Sequence, residues 1–185
     1  MAPLSDRRIR ELSLRKGMIE PFAESSLGPV ISFGLSAYGY DYRLADSFMV
    51  PREDFQGPLD PKAVPVDLFR EVKGVESLLL APRSFLLARS LEYFRIPREI
   101  LVLGFGKSTL ARSGLLVNVT PLEPEWEGHL TLSLGNLSPY PLRLYAKEGI
   151  GQLVFLEAKD LCERSYRDKK GKYQNQKVIT PSKVE

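Results

Sequence analysis

Lys107, Ser108, Thr109 and Arg112 fall within six residues of one another. Two cations, two hydroxyls and the backbone N–H groups between them are what a polyphosphate needs: charge-assisted donors beside a cluster of amides. They lie in the stretch 106–128, GKSTLARSGLLVNVTPLEPEWEG, which runs from small donor-rich residues through a helix-like turn at 109–113. An apolar β run at 115–119 follows, then an acidic loop at 123–127. An apolar strand beside a phosphate-binding turn can wall a base and a sugar, so the stretch reads as a nucleotide triphosphate pocket. It also reads as a strand–turn–strand connection whose cations are merely solvated. A Walker-type phosphate loop is excluded, because that loop needs Gly five positions before its Gly-Lys pair, and Leu101 stands there.

Residues 5–16 (SDRRIRELSLRK) predict a helix that Ser5 can cap, with Asp6 in its first turn and Gly17 to end it. Ile9 and Leu12 give it a narrow apolar stripe. Beyond it, Pro and Gly recur at short intervals between runs rich in Leu, Val, Phe and Tyr, the pattern of short strands. Strands are expected at 40–44, 48–50, 77–80, 85–90, 92–94, 101–104, 115–119, 129–135, 142–146 and 151–157. That spacing favours a sandwich, jelly roll or barrel over a βαβ fold. Residues 51–72 read as the longest irregular insertion. In the strand at 129–135, Leu130, Leu132 and Leu134 take one face, while His129, Thr131, Ser133 and Gly135 take the other. With the leucines inward, Thr131 and Ser133 face a cleft or solvent.

A chain of 185 residues fits one domain, 1–185, whose polar C-terminal tail is 164–185. The formal charge of +3 is small and acids alternate with bases, unlike a nucleic-acid-binding face; the local basic excess is 164–172. One cysteine, Cys162, rules out an internal disulfide and suits a reducing compartment. The N-terminus is charged from Asp6 onward, unlike a signal peptide, and no apolar run is long enough to span a bilayer. A cytoplasmic protein is expected, with neither nucleic-acid nor membrane partner.

Zinc-dependent deaminases of nucleobases need a His or Cys, a Glu and a Cys-x-x-Cys pair. One His, His129, and one Cys cannot supply that site within one subunit. His129 instead reads as a surface or strand-edge histidine. A Ser–His–Asp hydrolase lacks its nucleophile elbow here.

Taken together, short pieces in a fixed order resemble the deoxycytidine triphosphate (dCTP) deaminases, which share a fold with the trimeric dUTP pyrophosphatases. The pieces are Ser5-Asp6 and Met18-Ile19-Glu20-Pro21-Phe22; Tyr38-Gly39-Tyr40-Asp41 with Arg43; and Phe85, Leu87, Ala88 and Arg89 with Glu92-Tyr93-Phe94-Arg95-Ile96-Pro97. They continue through 106–112, 118–128, Glu148-Gly149, and Gly171-Lys172-Tyr173-Gln174 with Gln176, almost the full length. The resemblance implies a mainly β protomer, a distorted barrel or jelly roll with a short N-terminal helix, assembled as a homotrimer with active sites between subunits. It implies dCTP or dUTP bound with magnesium through the triphosphate and no zinc, with dTTP as a possible inhibitor. By the same resemblance Lys107, Ser108, Thr109, Leu110, Ala111 and Arg112 hold the phosphates, Arg112 also reaches toward the reacting base, and Ser108, Arg112 and the position of Ser133 are the catalytic candidates. Glu123 lies near the sugar; Thr131, Leu132 and Ser133 line base and sugar. Gln152 contacts the nucleotide, as do Tyr166, Lys172 and Gln176 from a tail that closes over it.

The implied reaction is hydrolytic: water attacks C4 of cytosine, ammonia leaves and dUTP results. A carboxylate must take the proton from water and return it to the leaving nitrogen. The family places a Glu in the strand after its Trp-x-Gly corner, in a Thr-Leu-Glu context. Here the corner is Trp126-Glu127-Gly128 and the family's Glu position is Ser133. A hydroxyl can orient water, but its alkoxide is too basic to serve as a free base near neutral pH. Three alternatives follow: an inactive engineered form; a natural member that binds nucleotide without deaminating it, or hydrolyses the triphosphate through Glu123; or a carboxylate at Glu123, Glu125 or Glu127 standing in.

Overall fold

The structure, a computed structural model, describes residues 2–65 and 67–183. Residues 184 and 185 of the expected tail lie outside them. In chain order the elements are β1 (Ala2–Pro3), α1 (Asp6–Lys16), β2 (Ile19–Glu20), β3 (Gly34–Ser36), β4 (Gly39–Pro51), β5 (Phe69–Lys73), β6 (Ser77–Leu80) and β7 (Phe85–Arg95). They continue with β8 (Ile100–Gly106), α2 (Ser108–Arg112), β9 (Leu115–Asn118), β10 (Glu127–Asn136), β11 (Leu142–Tyr145) and β12 (Gly149–Glu157).

Helix α1 starts and stops where its sequence directs. Ser5 takes the extended N-cap conformation, but its side chain makes no capping bond; the neighbouring Asp6 carboxylate accepts from Arg7 N at 2.7 Å instead. Gly17 ends the helix in the left-handed region, φ 65°, where a missing Cβ avoids strain. Ile9 and Leu12 are buried, so the narrow stripe is what docks.

The chain is mainly β. A sheet with the path β1-β12-β4-β7-β10-β9 curls around one core, with β8 on β12, β3 and β5 on β4, and β2 on β7. Expected strands 40–44 and 48–50 are one strand, β4. Its first half pairs with β12 and its second with β7, across a register shift between Leu44 and Phe48 that turns the sheet. Strands expected at 85–90 and 92–94 likewise join as β7. The 51–72 insertion is not wholly irregular: it runs into β5, which pairs with Ser47–Pro51 of β4. Its charged sequence, FREVK, carries no apolar run to mark a strand.

Alternation sets the core. Leu130, Leu132 and Leu134 of β10 are 3%, 0% and 0% exposed, beside fully buried Tyr40, Phe48, Phe94 and Phe155. Each such side chain contributes roughly 1.5–3 kcal/mol by leaving water. One charged pair crosses the interior and ties β7 to β4. Glu92 Oε1 accepts from Arg43 Nε at 2.7 Å and Glu92 Oε2 from Arg43 N at 2.9 Å. Burial raises the Glu92 carboxyl above its ordinary range, and the bonds from Arg43 oppose that shift.

Candidate active site

Strand β10 builds the site. Its buried leucines fix its register, so His129, Thr131 and Ser133 must take the opposite face. Strand β7 lies along one side of it throughout, whereas β9 pairs with it only from Ser133 to Asn136. Over the first half of β10, the C-terminal tail occupies the free edge. His129 N donates to Gln176 O at 2.8 Å, and Asn175 N to Glu127 O at 3.0 Å.

A cleft of about 400 Å³ lies between this tail and the 119–123 loop. Glu123, Thr131, Tyr166 and Gln176 line it, as do Trp126, Tyr173 and Thr180. Gln176 Nε2 donates to Thr131 Oγ1 at 2.5 Å and to His129 O at 3.1 Å. Thr180 N donates to the same hydroxyl at 3.2 Å. Trp126 Nε1 donates to Tyr173 O at 2.9 Å, and Tyr173 N to Tyr166 Oη at 3.0 Å. Aromatic rings together with an amide, a hydroxyl and a carboxylate in one cleft suit a pyrimidine and a sugar.

The other site candidates stand elsewhere. Ser108, Thr109, Ala111 and Arg112 are exposed on α2, with the Leu110 side chain turned inward. The Arg112 side chain forms no hydrogen bond or ion pair among the described residues and does not bridge to Glu123 or Glu125. Those carboxylates pair with Lys169, and with Arg98 and Arg167, respectively. No residue of α2 lines the cleft; Thr109 instead lines a separate one with Ile31, Ser32, Tyr145 and Glu148. Phosphate and base groups therefore do not meet in one continuous pocket of one chain. Lys107 Nζ is paired with Asp41 Oδ2. Gln152 Nε2 lies 3.4 Å from Ser36 Oγ, and Lys172 Nζ donates to Lys183 O at 2.8 Å. The Leu132 side chain is wholly in the core, leaving only its backbone to face a ligand.

Ser133 is half-buried, opposite Leu87 on β7 and Asn118 on β9. Of the substitute carboxylates, Glu123 lines the cleft, whereas Glu125 and Glu127 line a separate groove with Arg98 and Arg167. His129 is half-buried and lies where the tail runs along the free edge of β10. Its Nδ1 lies 3.0 Å from Glu92 O and its ring stacks edge-on against Tyr93. Burial, then the nearby Arg89 charge, lowers its pKa. Among the described residues no three His, Cys, Asp or Glu side chains gather to hold a metal ion.

Trp126, Tyr173 and Thr180 wall the cleft without having been singled out as ligands. An indole at a strand corner reads as packing until its N–H is seen bonded to the tail.

A family model described as dCTP deaminase-like matches residues 3–158. The chain belongs to the dCTP deaminase-like family. A dCTP deaminase of Thiobacillus denitrificans is 49% identical over 189 residues, covering 100% of both chains. One from Helicobacter hepaticus is 50% identical over 185 residues, 97% of each. Among solved structures, a 2'-deoxycytidine 5'-triphosphate deaminase from Agrobacterium tumefaciens superposes with a TM-score of 0.63 at 17% identity, over 83% of this chain. This chain spans about half that one (47%), and at such identity the likeness speaks for the fold. The family model ends at residue 158, so Tyr166, Tyr173 and Gln176 of the cleft lie beyond it. Among the described residues no helix is long and apolar enough to cross a membrane.

Proposed function

We propose that the protein is a dCTP deaminase that holds the pyrimidine and deoxyribose in the cleft of Glu123, Thr131, Tyr166 and Gln176. Water adds to C4 of cytosine, the C4–N bond breaks, and dUTP and ammonia leave. The observation that carries this reading is the closed tail over β10: aromatic walls, a carboxylate and a bonded Thr131–Gln176 pair bound a volume suited to a nucleoside.

The triphosphate falls to α2. Ser108, Thr109 and Arg112 are exposed cations and hydroxyls, and the backbone N–H of Leu110 adds an amide, while that of Ala111 already donates to Lys107 O. Because none of them lines their own chain's cleft, they serve the cleft of a neighbouring copy, and a homotrimer with shared sites satisfies both halves. Lys107 reaches the phosphates by exchanging Asp41 for a phosphate oxygen, and Gln152 and Lys172 complete the contacts. Magnesium arrives on the triphosphate and neutralises its charge. The protein works in the cytoplasm on free nucleotides, without nucleic acid or membrane, and dTTP competes for the same cleft.

Ser133 favours a second reading. With a hydroxyl where the family carries its Glu, the chain binds the nucleotide without deaminating it, or Glu123 directs water at phosphorus. One assay separates these outcomes: incubation with dCTP and magnesium, then resolution of the products. Ammonia with dUTP establishes deamination. Pyrophosphate with a monophosphate supports hydrolysis at phosphorus. Tight binding without turnover leaves a nucleotide binder, and no binding sinks all three.

A further inference from the structure

The tail's reach over the cleft depends on a residue outside it. Arg98 sits in the turn between β7 and β8 and spends its guanidinium almost entirely on the tail's root. Nη1 donates to Asp168 Oδ2 at 2.9 Å and to Glu125 Oε2 at 2.8 Å. Nη2 donates to Cys162 O at 3.2 Å and Glu163 O at 3.1 Å. A planar fork with five donors can bridge a loop carboxylate, a tail carboxylate and two carbonyls at once.

What it clamps is itself a folded turn. Ser165 N donates to Asp168 Oδ2 at 3.0 Å and Asp168 N to Ser165 Oγ at 3.2 Å, a reciprocal lock around a serine only 1% exposed. The Ser165 amide, then Arg98, lowers the Asp168 carboxyl. The next residue is Tyr166. Its N–H donates to Pro124 O at 3.0 Å and its ring fills the space beside Gly171, where a Cβ would come within 2.2 Å of Cζ. Tyr166 Oη then accepts from Tyr173 N at 3.0 Å, and both rings line the cleft. A continuous line thus runs from Arg98, through the turn at 165–168, to the cleft's aromatic wall.

We infer that Arg98 is a positioning residue: it fixes the root of the C-terminal tail to the Glu125 loop before nucleotide arrives, so that Tyr166 and Tyr173 are already placed to meet the ligand. The inference rests on the cleft being the nucleotide site. A root that is already ordered as far as Tyr173 leaves only the segment after it to be held by the ligand. That lowers the entropy lost on binding and so raises affinity.

The test uses the full chain, with Arg98→Met, Arg98→Lys, Asp168→Asn and the Arg98→Met/Asp168→Asn double variant. In one arm, trypsin digestion without nucleotide is followed by mass at Arg164, Arg167, Lys169 and Lys170. Cleavage there reports opening of the root. In the other arm, magnesium–dCTP is titrated against the fluorescence of Trp126, the chain's one tryptophan, whose indole N–H is bonded to Tyr173 O.

For Arg98→Met we expect tail cuts and the dCTP Kd to rise together by about tenfold, the scale of losing bonds to charged groups on a partly exposed surface. The double variant should be no worse than Arg98→Met, and Arg98→Lys intermediate. Unchanged tail cutting overturns the inference. So does acceleration at sites throughout the body, which marks general destabilisation, and so does faster tail cutting with an unchanged Kd. If the unaltered chain binds no dCTP, the nucleotide assignment fails, and the tryptic arm still decides whether Arg98 anchors the root.

Discussion

Gln176 Nε2 reaches Thr131 Oγ1 at 2.5 Å across 45 residues of sequence. The contact stands where β10 lacks a strand neighbour: β9 covers β10 only from Ser133 onward, and the tail bridges to Gly128 in parallel. An uncovered strand edge would leave backbone donors and acceptors to solvent. The tail therefore finishes the sheet and closes the cleft in one step. Gly128 permits this approach, since a Cβ there would come within 2.9 Å of Gln176 N.

Replacing Gln176 with Ala removes both side-chain bonds and leaves the strand edge otherwise paired. We expect dCTP affinity to fall by ~1–2 kcal/mol, about one net hydrogen bond each for Thr131 Oγ1 and His129 O. Calorimetric titration checks it. Hydrogen exchange should quicken at 174–180 but not in β7. An unchanged Kd would separate the tail from binding.

Arg112 is exposed and unpaired among the described residues, so its removal should cost the fold little. On the shared-site reading it should cost binding much: roughly 1.5–3 kcal/mol for Arg112→Ala, the scale of a charged hydrogen bond. Titration of dCTP beside a thermal melt distinguishes the two. A lowered melting temperature with unchanged Kd would assign Arg112 to subunit packing instead of phosphate.

The strands that carry the site were legible because alternation is a local property. Leu130, Leu132 and Leu134 announce an inward face, and Thr131 and Ser133 follow on the other. Helix α1 was legible from Ser5, Asp6 and Gly17, although the cap bond belongs to Asp6 and not to Ser5. The joining of 40–44 to 48–50 was not, because Asp46 and Ser47 break the apolar pattern while cross-strand pairing keeps the backbone extended. Nor could sequence tell that Lys107 meets Asp41, or that α2 lines no part of the cleft. Both depend on where distant strands are brought together. Four of the proposed ligands, Glu123, Thr131, Tyr166 and Gln176, do share one cleft, drawn there by tail contacts that spacing along the chain cannot reveal.

His129 should make stability pH-dependent in a fixed direction. Its folded pKa lies below the ordinary imidazole value because burial, then Arg89, disfavours the cation. The unfolded chain therefore takes up the proton first, and stability falls as pH drops below ~6.5 toward the lowered pKa. His129→Gln should flatten that slope while leaving stability above pH 7 changed only by the lost packing on Tyr93. As the chain's one histidine, His129 can be titrated directly by proton NMR of its ring. A midpoint at or above the ordinary value would contradict this.

Ser133 is where the catalytic question narrows to one side chain. It lies on the outward face of β10, two residues beyond Thr131, opposite Asn118 and Leu87 and with no side-chain hydrogen bond among the described residues. A longer side chain at this half-buried position can extend outward without displacing the core. We expect Ser133→Glu to raise the rate of ammonia release from dCTP by ~10²–10⁴-fold, the range general acid–base catalysis provides. Its Kd should stay within a few-fold, because the cleft walls and α2 are untouched. The pH profile should acquire an acid limb as the new carboxylate titrates. Equal turnover by parent and variant, measured as ammonia under single-turnover conditions, would mean that another group already moves the proton. Glu123, the one substitute carboxylate in the cleft, would then be the residue to replace next.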